Sequence, residues 1–118
     1  MPQRARGHEK STDMREQVIA HMKSQFGLSE SQLESMMPTF IQTLGEHLDE
    51  LETAVSGGDL AHIGRAAHTL KGALLNLGLG SSADTALTME KDAKAAADGT
   101  DYAGLLDLIK TAVRPLFD

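Results

Sequence analysis

Apolar residues along this chain recur in steps of three and four, the period of a helix that buries one face. In the first such stretch Val18, Ile19, Met22 and Phe26 share a face; Asp13 followed by Glu16 resembles a capping box, and Gly27 ends the run. Ser29 followed by Gln32 is a second capping box, opening a long segment that closes at Gly57-Gly58. Its seam is Met37, Ile41, Leu44, Leu48, Leu51 and Val55. Pro38 either starts the main rod or kinks a longer one. Asp59 caps a third helix with the seam Leu60, Ile63, Ala67, Leu70, Leu74 and Leu77, stopped by Gly78 and Gly80. Ser81 or Ser82 then caps a fourth, running to about Ala97 with Gly99 beyond, and its stripe is mostly small: Ala83, Ala86, Leu87, Ala93, Ala97. The last helix uses Leu105, Leu106, Ile109, Ala112, Val113 and Leu116, with Pro115 loosening its end. The expected fold is all-α: an antiparallel four-helix bundle with a short additional N-terminal helix.

Composition narrows the function classes. The 118 residues suit one domain with one core. Aromatics are 3%, and Val/Ile-rich alternation is absent, so strands have nothing to build on. The lack of cysteine removes disulfides, thiolate metal sites and cysteine nucleophiles together. A net charge of −6 argues against a nucleic-acid partner, since phosphate backbones need clustered Lys and Arg. Residues 1–10 set Arg4, Arg6 and Lys10 against Glu9 and show no apolar period. They read as a flexible N-terminal tail, or as a basic anchoring arm, ahead of a helical domain over residues 11–118. No apolar run is long enough for a membrane span and no signal peptide opens the chain, so the expected setting is cytoplasmic, without a membrane partner.

The third helix breaks its own pattern. With His68 at zero on a wheel of about 100° per residue, the seam centres near −130°, so the imidazole points away from the core. Ala61 at about +20°, Gly64 at about −40°, Gly72 at about +40° and Leu75 at about −20° share its side, flanked by Lys71 and Arg65. A glycine inside a helix costs about 1 kcal/mol relative to alanine, and two need a reason. Bare backbone beside an exposed imidazole leaves room for another molecule to approach. Lys71 adds positive charge one turn away, and Leu75 an apolar contact. Together these residues read as a docking face around a chemically competent imidazole.

Ala67-His68-Thr69-Leu70-Lys71-Gly72, followed by Asn76-Leu77-Gly78, resembles the signature of histidine-containing phosphotransfer (HPt) domains. Leu48 to Asp59 is similar to the helix and Gly-Asp turn that precede the motif in that family. Ala86 to Gly99, with Met89-Glu90, is similar to the helix that follows. The resemblance implies a carrier in a multistep His-Asp phosphorelay. His68 would accept a phosphoryl group from the aspartyl phosphate of one response-regulator receiver domain and pass it to another. A neutral imidazole suits this, because histidine's unperturbed pKa is about 6.5. Lys71 would balance charge on the phosphoryl oxygens, and Gly72 would keep the approach clear. The receiver would supply the aspartate and Mg²⁺, so this chain needs no cofactor or metal of its own. A hybrid histidine kinase is a further possible partner. The chain would be a phosphocarrier rather than a free-standing enzyme, since no ATP-binding module fits its length.

Other readings stand beside these. Gly64 suits close packing of a neighbouring helix as well as access. Arg65 alone reads as a solvated side chain, and Asn76 as a helix-end residue. Family members often carry small or hydroxyl residues after the Lys-Gly pair; here Ala73-Leu74-Leu75 follows, and Leu75 would narrow which receivers dock. His8, His21, His47 and His62 read as ordinary histidines. His62 and His68 stand roughly 120° apart on the wheel, unsuited to one metal. No Gly-x-Ser-x-Gly elbow, nucleotide-binding glycine loop or paired Glu-x-x-His motif occurs. The acidic residues Glu46, Asp49, Glu50 and Glu52 read as a solvated face. The alternative function is a non-phosphorylated adaptor that binds a receiver or kinase and regulates it by occlusion. A monomer is expected, since one bundle can bury these seams.

Overall fold

The computed structural model describes residues 6–118, with side chains from residue 13 onward. Five α-helices follow one another: α1 (Arg6–Phe26), α2 (Glu30–Gly57), α3 (Leu60–Asn76), α4 (Gly80–Lys94) and α5 (Tyr102–Val113). A single 3₁₀ turn, Arg114–Leu116, closes the chain. The described residues contain no strand, and no helix among them is long and apolar enough to cross a membrane.

The first helix differs most from expectation. It is not short: α1 has 21 residues, against 12 in α5. It begins at Arg6, so the second half of the expected tail is helical, while residues 1–5 lie outside the described residues. Asp13 therefore lies inside a helix and caps nothing. Phe26, expected on the buried face, is exposed, while Val18 and Met22 are buried as their spacing requires.

Local chemistry accounts for the other ends. The Ser29 hydroxyl accepts from the Gln32 backbone N–H at 3.1 Å, and the Gln32 side chain accepts from the Ser29 N–H at 2.9 Å, a reciprocal capping box. Pro38 sits inside a continuous α2 and is exposed. Buried Leu33 in the turn before it shows why the helix starts earlier: that turn already reaches the core. Gly58 ends α2 in the left-handed conformation at φ 74°. Asp59 caps α3 by accepting from the Ala61 N–H at 3.0 Å.

The α3–α4 connection is a Schellman turn, with Leu79 N–H bonded to Leu74 C=O and Gly78 N–H to Leu75 C=O. Gly78 takes φ 78° there, and a Cβ on it would stand only 2.5 Å from the His21 ring, so both conformation and space demand glycine. Gly80 does not stop α3 but begins α4, and neither Ser81 nor Ser82 caps that helix. Ser82 is instead buried in the first turn. The fourth helix ends at Lys94, short of Ala97, through a second Schellman-type turn whose left-handed residue is Ala96 at φ 58°.

The core follows the seams. Leu33, Met37, Leu44 and Leu51 of α2, Ile63, Leu70 and Leu74 of α3, Met89 of α4 and Ile109 of α5 are fully buried. Ile41, Val55 and Leu87 are only partly buried, and Ala112 is exposed. α3 packs on α2 and α4, α5 packs on α4 and α2, and α1 lies against α2 and the 3₁₀ turn. The small stripe Ala83, Ala86 and Ala93 brings α4 against α3, and these are the two helices that build the candidate site.

Candidate functional site

On α3, Ile63, Ala67, Leu70 and Leu74 face inward, which turns His68 outward: its side chain is 63% exposed. Across from it, α4 holds the one buried carboxylate among the described residues. Glu90 falls in the stripe between Ala86 and Ala93, and its side chain is 5% exposed. An isolated buried carboxylate would be very unfavourable, so its partners decide what it does.

Three side chains converge on Glu90. Lys94, one turn along α4, donates to Oε2 at 2.8 Å, and His68 Nδ1 lies 2.9 Å from the same oxygen. The Lys71 ammonium stands 2.9 Å from Oε1, which has no aligned hydrogen-bond donor, so Lys71 holds that oxygen by charge. The Lys94 bond, with Lys71 and His68 adding to it, outweighs burial and holds the Glu90 carboxyl down at about 2. Glu90 is therefore ionised at neutral pH and can only accept. Nδ1 of His68 must then carry the hydrogen in this contact, which leaves the lone pair of the neutral ring on Nε2. The imidazole thus has one nitrogen tied to a fixed anion and one available as a nucleophile.

The surroundings divide the expected docking residues. A groove of about 790 Å³ runs beside His68, lined by Ala61, Gly64, Arg65 and Thr69 of α3 and by Ala93, Lys94 and Ala96 at the end of α4. Ala61 and Arg65 are exposed in it. Gly64 is buried at the floor of the groove, and a Cβ there would stand 3.6 Å from Ala93 Cβ and 3.8 Å from Lys94 Cγ, ordinary contact distances that the packing of α3 on α4 accommodates. Gly72 has nothing within 4 Å of where its Cβ would be, which is open space on the His68 side. Leu75 is 51% exposed and lies beyond the groove rather than in it. Lys71 is mostly covered, its ammonium turned to Glu90.

Glu90 and Lys94 carry no role in the sequence pattern taken alone. A signal was present: a charged residue at a position where the stripe of α4 expects a small apolar one. His62, by contrast, contacts Glu50 of α2 at 2.6 Å on another face of α3. Among the described residues, no group of three or more His, Asp and Glu is placed to hold a metal ion.

A family model described as Hpt domain matches residues 35–115, from early α2 into the 3₁₀ turn. No curated protein and no solved structure matches the chain.

Proposed function

The chain belongs to the Hpt domain family, and from that premise we propose that His68 Nε2 is the atom that carries the phosphoryl group. Histidine phosphotransfer in two-component phosphorelay is the role that goes with the family. The observation that supports His68 is its geometry, an exposed ring whose Nδ1–H is held by a buried, ionised Glu90. The Nε2 lone pair attacks phosphorus of a receiver's aspartyl phosphate. The N–P bond forms, the aspartyl O–P bond breaks, and its electron pair returns to the receiver's carboxylate. Positive charge then grows on the ring, which still bears the Nδ1 hydrogen, and the Nδ1–H bond to Glu90 strengthens as it does. Reversal onto a second receiver runs through the same charge distribution. The receiver supplies the aspartate and Mg²⁺; this chain is a phosphocarrier and not an enzyme on its own.

In this reading α2–α5 form an antiparallel four-helix bundle, which their cyclic packing supports, within a domain over residues 11–118. Ala61, Arg65, Gly72 and Leu75 form the surface a receiver covers, with Gly64 setting the groove floor. Lys71 keeps Glu90 ionised and adds positive charge near the phosphoryl oxygens. The protein acts as a monomer in the cytoplasm, with a hybrid histidine kinase as a further source of phosphoryl groups. Phosphoryl transfer from a panel of radiolabelled, phosphorylated receiver domains to the chain and to its His68→Gln variant tests the proposal. Acid-labile, base-stable label on the wild type alone is the expected result. Receiver binding without label on the wild type would replace the carrier reading with that of an occluding adaptor.

A further inference from the structure

Glu90 raises a problem for a nucleophilic histidine. A lone ionised carboxylate 2.9 Å from Nδ1 favours the imidazolium, which has no lone pair to attack with. The charged groups around the ring are Arg65 and Lys71 from α3 and Glu90 and Lys94 from α4. From α2, His47 and Glu50 face a different groove, with His62. Lys94 differs from the others in sharing the very oxygen that His68 uses, Glu90 Oε2, at 2.8 Å. Its long side chain is 66% exposed, packs along Gly64 and lines the groove, whereas Lys71 is mostly covered and sits on the other oxygen.

We infer that Lys94 is a positioning residue for phosphotransfer: by neutralising Glu90 at the oxygen shared with His68, it lets that carboxylate orient the imidazole without holding it protonated. The inference rests on the carrier reading for its consequence but not for its physics. With Lys71 and Lys94 both in place, the carboxylate is over-compensated and acts on the ring as a directional hydrogen-bond acceptor more than as a free negative charge. Removing Lys94 leaves one oxygen's charge uncancelled beside Nδ1, and the imidazolium gains.

The test is an NMR titration of the His68 C2–H in the full chain and in its Lys94→Met, Lys94→Arg and Lys91→Met variants, with phosphotransfer rates measured across the same pH range. Lys91 is exposed on α4 and is not one of the groups that hold Glu90, so it controls for loss of a charge from the helix. Lys94→Met moves the titration midpoint up, as expected on losing a cation close to the ring and only partly screened. Its transfer rate falls at pH 6 to 7 and recovers above pH 8, while Lys94→Arg stays near the wild type. An unmoved midpoint in Lys94→Met, or an equal shift in Lys91→Met, overturns the inference. If the midpoint moves as stated but the wild type accepts no phosphoryl group, Lys94 tunes the ring and the carrier reading fails by itself.

Discussion

Helix α3 carries two imidazole–carboxylate contacts, and their difference separates a site from a surface. At His62 the ring is 30% exposed and its partner Glu50 is 60% exposed; at His68 the ring is 63% exposed and Glu90 is 5% exposed. The exposures are inverted. Glu50 is a solvated side chain free to leave, so its 2.6 Å contact is a surface hydrogen bond that adds little to stability. Glu90 is packed into the α3–α4 interface, tied to two lysines and unable to leave without stranding a buried charge. A reactive imidazole needs this second arrangement: an immobile partner behind it and open space in front. Contact distance alone would have ranked the two pairs the wrong way round.

The most severe way to break the comparison is to remove the ring. His68→Gln should abolish phosphoryl acceptance while changing stability by less than about 0.5 kcal/mol in thermal unfolding, as expected at an exposed position. A large loss of helix content would mean that the ring has a structural role that its exposure does not suggest.

Removing the partner comes next. Glu90→Gln should slow transfer by about ten- to a hundred-fold, taking the scale seen for carboxylates that orient metal-bound imidazoles. It should also alter the acid limb of stability. The Glu90 carboxyl is lowered from 4.5 to about 2 in the folded protein. Its contribution is therefore complete above the unfolded value and is lost as pH falls from about 4.5 towards 2. Circular-dichroism melts across that window should fall less steeply in Glu90→Gln than in the wild type. Equal slopes would show that the carboxylate is not held as its three partners imply.

A smaller effect sharpens the role of the open side. Gly72→Ala meets nothing in the fold, so it should stabilise the helix by about 1 kcal/mol, while Gly72→Leu should fold and transfer more slowly. Transfer at the wild-type rate in Gly72→Leu would remove access as the reason for the glycine. The smallest effect belongs to the other pair. Glu50→Gln should change stability by less than about 1 kcal/mol and leave transfer from a receiver unaltered.

Much of this was legible along the chain because helical periodicity and capping are local. The seams of α2 and α3, the Ser29 and Asp59 caps and the outward direction of His68 all follow from spacing within a few turns. The errors were local too, in a different sense. Asp13-x-x-Glu16 has the form of a cap, but nothing in those four residues says that the helix already began at Arg6. Ser81 and Ser82 look like caps, yet the turn through Gly78 delivers the chain into α4 at Gly80 before either can act. Gly99 looks like a stop, yet α4 stops earlier, with Ala96 in the left-handed position.

The sequence by itself determined an all-helical chain, the face on which His68 stands and the family motif around it, since each depends on residues within reach of one helix. Only the tertiary structure decided what that histidine is attached to. Glu90 lies 22 positions away on another helix, and its spacing says only that a charge falls on a buried stripe. Bringing α3 and α4 together at Gly64 and Ala93 places that charge behind the ring, selects Nε2 as the free nitrogen and adds Lys94 to the same oxygen. Hydrogen-bond direction and charge compensation are properties of distances between helices, and those distances exist only once the helices have packed.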